Sequence, residues 1–136
     1  MKFLTKSTFL LFLLMSKFCF TQNMKEGFNY LETGKFAKAE EFFTTILETY
    51  SDNKTARLCY ARAVGLNKQP EKALSLFIDL KKEYPNDLEI QLNYAEALLW
   101  NNKFTEAKGY YSRLVEQNPT NFVAHLGFAN TLSNLK

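Results

Sequence analysis

Residues Pro85–Ala95 read PNDLEIQLNYA, and 34 residues later Pro119–Ala129 read PTNFVAHLGFA. In each stretch a proline and then a polar residue, Asp87 or Asn121, precede a segment whose apolar side chains return every three to four positions. Proline stops one helix, the side-chain oxygen of Asp or Asn caps the next, and the apolar spacing marks the stripe that this next helix buries. The same order at a fixed spacing indicates a repeated structural unit.

Other columns keep that register. Ala39, Ala73 and Ala107 stand 34 apart, as do Phe43, Phe77 and Tyr111, one helical turn further on. Gly27, Ala61, Ala95 and Ala129 form a second small-residue series, and Tyr60, Tyr94 and Phe128 precede its last three members. Ser51, Pro85 and Pro119 close the units. Two helices approach closely only where side chains are small, and aromatics one turn away fill the wider space beside the crossing.

Gly34, Asn67 and Asn101 or Asn102 are placed to end helices in the left-handed conformation. Pro70 suits a first turn, and Asn53, Asp87 and Asn121 suit N-caps. The spacing predicts helices at about 23–33, 36–50, 55–67, 70–84, 88–101, 104–117 and 122–135. No alternating strand pattern and no linker interrupts them, so the fold class is all-α, a solenoid of antiparallel helix hairpins.

The N-terminus lacks the repeat. Lys2 and Lys6 precede the apolar run Phe9–Met15, which is about a third of the length a bilayer-spanning helix needs. This is the layout of a secretory signal, and Cys19-Phe20-Thr21 offers a cleavage junction. Residues 1–21 are expected to be removed, leaving residues 22–136 exported to the periplasm or cell envelope, or secreted, with no transmembrane helix. Lys17 and Phe18 before Cys19 are not the small residues of a lipoprotein site. Three of the 17 basic residues lie in the first 22 positions, leaving 14 against 14 acidic ones in the body. A neutral body without a basic run argues against nucleic acid as a partner.

Little in the chain supports chemistry. The one histidine, His125, is expected to pack in the core, and Cys59 to act as a small apolar side chain. One His and one mature Cys cannot build a zinc site of the common spacings, and the five glycines are scattered rather than gathered in a phosphate loop. Glu40 and Glu41 read as part of a solvated helix face. No cofactor, no metal and no enzymatic activity are expected.

These columns resemble those of the tetratricopeptide repeat (TPR) family, whose unit is a 34-residue pair of antiparallel helices. Tyr60, Ala61, Ala73, Phe77 and Pro85, and again Tyr94, Ala95, Ala107, Tyr111 and Pro119, follow the family pattern. Gly27, Tyr30, Ala39 and Phe43 follow it in a unit that has Ser51 in place of proline. Where the family often places Trp, this chain has Asn23, Arg57, Gln91 and His125. The resemblance implies a right-handed superhelix with units at about 22–53, 54–87 and 88–121 and a partial unit at 122–136. It also implies a concave groove lined by first helices. The groove positions are Met24 and Phe28; Leu58, Cys59, Arg62 and Leu66; Leu92, Asn93, Glu96, Leu99 and Trp100; and Leu126 and Asn130. Of these, Phe28, Leu58, Arg62, Leu92, Asn93, Glu96, Trp100 and Asn130 are the candidate binding residues.

The family's grip on C-terminal carboxylates would require Lys, Asn and Arg where this chain has Met24, Phe28, Cys59, Glu89 and Asn93. Only Asn93 suits that role. The expected function is therefore an exported, non-catalytic scaffold for a protein or peptide partner. The alternative is the TPR segment of a larger outer-membrane or polysaccharide-export protein, associated with envelope components.

Overall fold

The computed structural model describes residues 24–136; the expected signal at 1–21 lies outside the described residues. The chain is helical over 24–32 (α1), followed by α2 (Phe36–Thr49), α3 (Lys54–Leu66), α4 (Pro70–Glu83), α5 (Leu88–Trp100), α6 (Phe104–Gln117) and α7 (Phe122–Asn134). These bounds agree with the spacing-based ones to within a residue or two.

Each helix packs on the next, which makes the stack of hairpins. In addition α3 touches α5 and α5 touches α7, whereas among the described residues α2, α4 and α6 do not touch one another. The odd-numbered helices therefore crowd on one side and the even-numbered ones splay on the other. That asymmetry curves the array and makes the odd-helix side concave.

The small columns sit where close approach requires them. Ala39, Ala61, Ala73, Ala95 and Ala107 are all fully buried, with Phe43, Phe77 and Tyr111 beside them in the core. A Cβ at Gly27 would lie 2.6 Å from Phe43, so glycine there admits the ring. The last member departs from the column: Ala129 is exposed, because among the described residues α7 packs only on α5 and α6. Instead Gly127 carries the α6–α7 crossing, with the Tyr111 ring lying directly on its backbone.

The caps follow the same period. Asn53, Asp87 and Asn121 accept hydrogen bonds from the backbone N–H groups of Ala56 (2.8 Å), Ile90 (3.2 Å) and Ala124 (2.9 Å). Gly34, Lys68 and Asn102 take positive φ, at 72°, 65° and 57°. The N–H groups of Lys35, Gln69 and Lys103 then bond back to the carbonyls of Tyr30, Val64 and Leu98, closing three equivalent Schellman turns. The expectation for Asn67 is thus corrected: the left-handed residue is Lys68. Asn67 instead donates from Nδ2 to Glu40 at 2.8 Å.

Glu40 is likewise not a freely solvated carboxylate. It accepts from Asn67, from Gln69 at 2.8 Å and from Lys72 at 3.2 Å, tying α2 to the turn and first residues of α4. Partial burial pushes its carboxyl up, but these donors outweigh it and hold the group below its ordinary value. Two further ion pairs, both at 2.6 Å, tie the start of α3 to the end of its hairpin partner α4 (Arg57–Glu83) and to the cap of α5 (Lys54–Asp87).

Candidate functional site

The concave side holds a cleft of about 310 Å³. Its walls come from α3 (Arg62), α5 (Glu89, Leu92, Asn93, Glu96, Leu99), α6 (Tyr111) and α7 (Val123, Leu126, Gly127, Asn130). Five of the eight candidate residues, Arg62, Leu92, Asn93, Glu96 and Asn130, are brought together here. They converge because positions three, four and seven apart on α5 share one face, and because α3 and α7 flank that face.

Three candidates lie elsewhere. Leu58 is only 3% exposed and belongs to the central core with Ala61, Val64 and Phe77. Trp100 packs half-buried between units. Its ring centroid lies 6.4 Å from that of Phe77, and a Cβ at Gly65 would lie 2.1 Å from the indole. Gly65 thus provides the slot that Trp100 fills against the central core. Phe28 stacks at 6.4 Å on Phe43 and is not among the cleft walls. Met24 is buried in the first core cluster, where the resemblance had implied a groove position.

The reading of the residues missed Tyr111, Val123 and Gly127 as cleft walls. Tyr111 belongs to a second helix and carried a core signal. It is indeed almost completely buried, and only where Gly127 removes a side chain does its ring reach the cleft. Val123 is 55% exposed and Leu126 48%, so the α7 wall is apolar and open.

Arg62 and Glu96 form no ion pair within 4 Å, and neither makes a side-chain hydrogen bond among the described residues. Glu96 is reached by water, yet it sits in a concavity walled by protein. That desolvation raises its carboxyl above the ordinary value, and the Arg62 charge offsets the effect only in part. Burial likewise raises the Tyr111 phenol, with Glu96 adding to it. Asn93, 8% exposed, donates from Nδ2 to the Glu89 carbonyl at 2.7 Å, which leaves its Oδ1 as a fixed acceptor. Cys59 is buried in the first core cluster with Met24 and Phe43. Desolvation pushes its thiol up to about 11, so at neutral pH it is an inert apolar side chain.

His125 stands apart from the cleft and corrects the expectation of a core imidazole. It is exposed, and its Nε2 donates to the Pro119 carbonyl at 2.9 Å. Gln91 donates to the Pro85 carbonyl in the same register, so this column closes turns with polar contacts. No group of three or more His, Cys, Asp or Glu side chains among the described residues could hold a metal ion. No described helix is long and apolar enough to cross a membrane.

On the even-numbered helices, cations lie over aromatic rings. Lys72 lies over Tyr60, and the half-buried Lys81 sits 3.9 Å from the Tyr94 ring centroid and 5.1 Å from that of Tyr110. Burial, with Arg113 nearby, holds the Lys81 ammonium below its ordinary value. Lys108 remains plainly exposed.

Residues 66–126 match the tetratricopeptide repeat family. The first TPR domain of human RPAP3 superposes with a TM-score of 0.71 at 22% identity, over 83% of this chain and 89% of that one. The fold is a TPR solenoid. The second TPR domain of human RPAP3, solved in complex with an HSP70 peptide, SGPTIEEVD, gives 0.66 at 17% identity, over 80% of this chain and 91% of that domain. A tetratricopeptide repeat protein from Parabacteroides merdae gives 0.75 at 16% identity, over 83% of this chain and 44% of that one. No curated protein matches the chain by sequence.

Proposed function

We propose that this chain is an exported, non-catalytic TPR scaffold that holds a segment of a protein partner in the cleft between α3, α5 and α7. The observation that carries this reading is the cleft itself. It combines exposed aliphatic side chains with Arg62, Glu96 and Asn130, whose side chains make no hydrogen bond or ion pair among the described residues. The second TPR domain of human RPAP3, of similar fold and solved in complex with a peptide, supports a peptide as the class of partner. Export rests on the Lys2, Lys6 and Phe9–Met15 pattern. Mass spectrometry of the mature N-terminus tests it, with a start near Gln22 expected and an intact Met1 chain in the cytoplasm as the contrary result.

The groove is tested by pull-down from an envelope fraction. Leu126→Asp and Arg62→Ala are expected to weaken capture more than about tenfold, as interface anchors commonly do. The outer-face variant Lys108→Ala is expected to behave as wild type. Equal retention of partners by all three, each folded by circular dichroism, would remove the groove from consideration. Trp100 is unsuited to this test, since its loss empties an internal slot.

A second reading is favoured by α7. Phe122, Val123, Leu126, Leu132 and Leu135 are all exposed, and the face that carries Ala61 and Ala95 in earlier units is open here. In the TPR segment of a larger outer-membrane or polysaccharide-export protein, a following helix would cover that face.

A further inference from the structure

We infer that the cleft selects a segment carrying a lysine or arginine among large aliphatic side chains, and that Glu96 is the residue that receives the cation. This rests on the groove reading above and adds to it the chemistry of the partner.

The charged walls of the cleft are Glu89, Glu96 and Arg62, so carboxylates outnumber cations. The two carboxylates are not equivalent. Glu89 lies in the first turn of α5, where the positive end of the helix dipole already compensates it. Glu96 lies two turns further on, beyond the reach of that dipole. It faces the Arg62 guanidinium from α3 and the Tyr111 phenol from α6. No charged side chain from α7 joins them, because residues 122–135 contain no Asp, Glu, Lys or Arg. Glu96 is therefore an anion that Arg62 compensates only in part, without a direct ion pair, in a protein-walled concavity beside the apolar wall of Val123 and Leu126. An incoming cation would supply the missing charge while its neighbouring aliphatic groups cover Leu92, Leu99 and Leu126.

An acidic peptide such as the SGPTIEEVD of the RPAP3 complex would instead bring further carboxylates against Glu89 and Glu96. Juxtaposed like charges are strongly unfavourable when water is excluded. Arg62 and Asn130 remain available to the carbonyl groups of an extended backbone, which adds orientation without changing the preference for a cation.

The test is selection from a random dodecapeptide library displayed on phage against the full chain. Selected peptides are then measured by fluorescence anisotropy against wild type, Glu96→Gln and Leu126→Asp. Enrichment of Lys or Arg next to Leu, Ile or Val is expected, with affinity lowered roughly tenfold or more by Glu96→Gln and falling with added salt. Peptides lost in Leu126→Asp but acidic, uncharged or indifferent to Glu96→Gln would overturn the charge assignment and leave the groove standing. Peptides indifferent to Leu126→Asp, or no selected peptide at all, would overturn the groove and the charge assignment together.

Discussion

Asp87 shows how much a single side chain can carry in this array. One carboxylate oxygen caps α5 through the Ile90 N–H, and the other pairs with Lys54 at the start of α3. The Lys54 ammonium, followed by the backbone donors, holds the carboxyl below its ordinary value. A depressed carboxylate contributes stability above its unfolded pKa and loses it as pH falls through the folded one. Asp87→Ala is expected to lower stability at neutral pH by about 1 kcal/mol for the cap. Asp87→Asn keeps a capping oxygen and loses only the ion pair, a matter of about 0–1 kcal/mol at a half-exposed site. Urea unfolding across pH separates the two. The deficit of the Asn variant should vanish once wild-type Asp87 protonates, while that of the Ala variant persists in part. His125, by contrast, misled at this scale. Its column was read for large buried side chains, and nothing in the residue alone announces a carbonyl partner six positions back at Pro119.

At the scale of elements, helix ends and helix crossings are governed by different information. The ends depend on neighbours in sequence, and their caps and left-handed turns recur at 34-residue intervals as the spacing indicates. Lys68 is the exception in residue type. It takes the conformation that Gly34 and Asn102 adopt more readily, because the turn is closed by backbone bonds whatever the side chain. The crossings depend on what arrives from the next helix. Ala73 has no exposed surface and lies in the central cluster with Ala61 and Phe77. Ala73→Phe is expected to destabilise by about 1–3 kcal/mol through overpacking, visible as a lower melting temperature. An unchanged melting temperature would mean that α3 and α4 can separate without loss, contrary to their packing.

Across the whole molecule, order is expected to decline towards α7. An array of this kind is stabilised by contacts between neighbours, so a helix covered on one side opens at lower free energy than one covered on both. The α3, α4 and α5 helices share the central cluster, while α7 buries only Ala124, Gly127 and Thr131 and exposes Phe122 to 75%. Native-state hydrogen exchange should therefore show α7 amides exchanging first and those of α3–α5 last. Uniform protection from α3 to α7 would show that the array opens only as one unit. On that pattern the cleft is expected to have one firm wall, α5, and one yielding wall, α7.

The sequence by itself determined the helix count and bounds among the described residues, the caps at Asn53, Asp87 and Asn121, and the close crossings at Ala39, Ala73 and Ala107. These are local or periodic properties, set by backbone chemistry and by side-chain size at fixed intervals. The resemblance to the repeat family also named Arg62, Leu92, Asn93, Glu96 and Asn130 as groove positions, and the cleft between α3, α5 and α7 gathers them. Only the tertiary structure decided that Leu58 and Trp100 turn away from that cleft, that Tyr111 reaches it over Gly127, and that Arg62 and Glu96 stand near each other unpaired. The physical reason is that each of these outcomes depends on the volume left by a residue on another helix. Gly65 admits the indole and Gly127 admits the phenol, and a repeat read along one chain direction does not record which neighbour fills which gap.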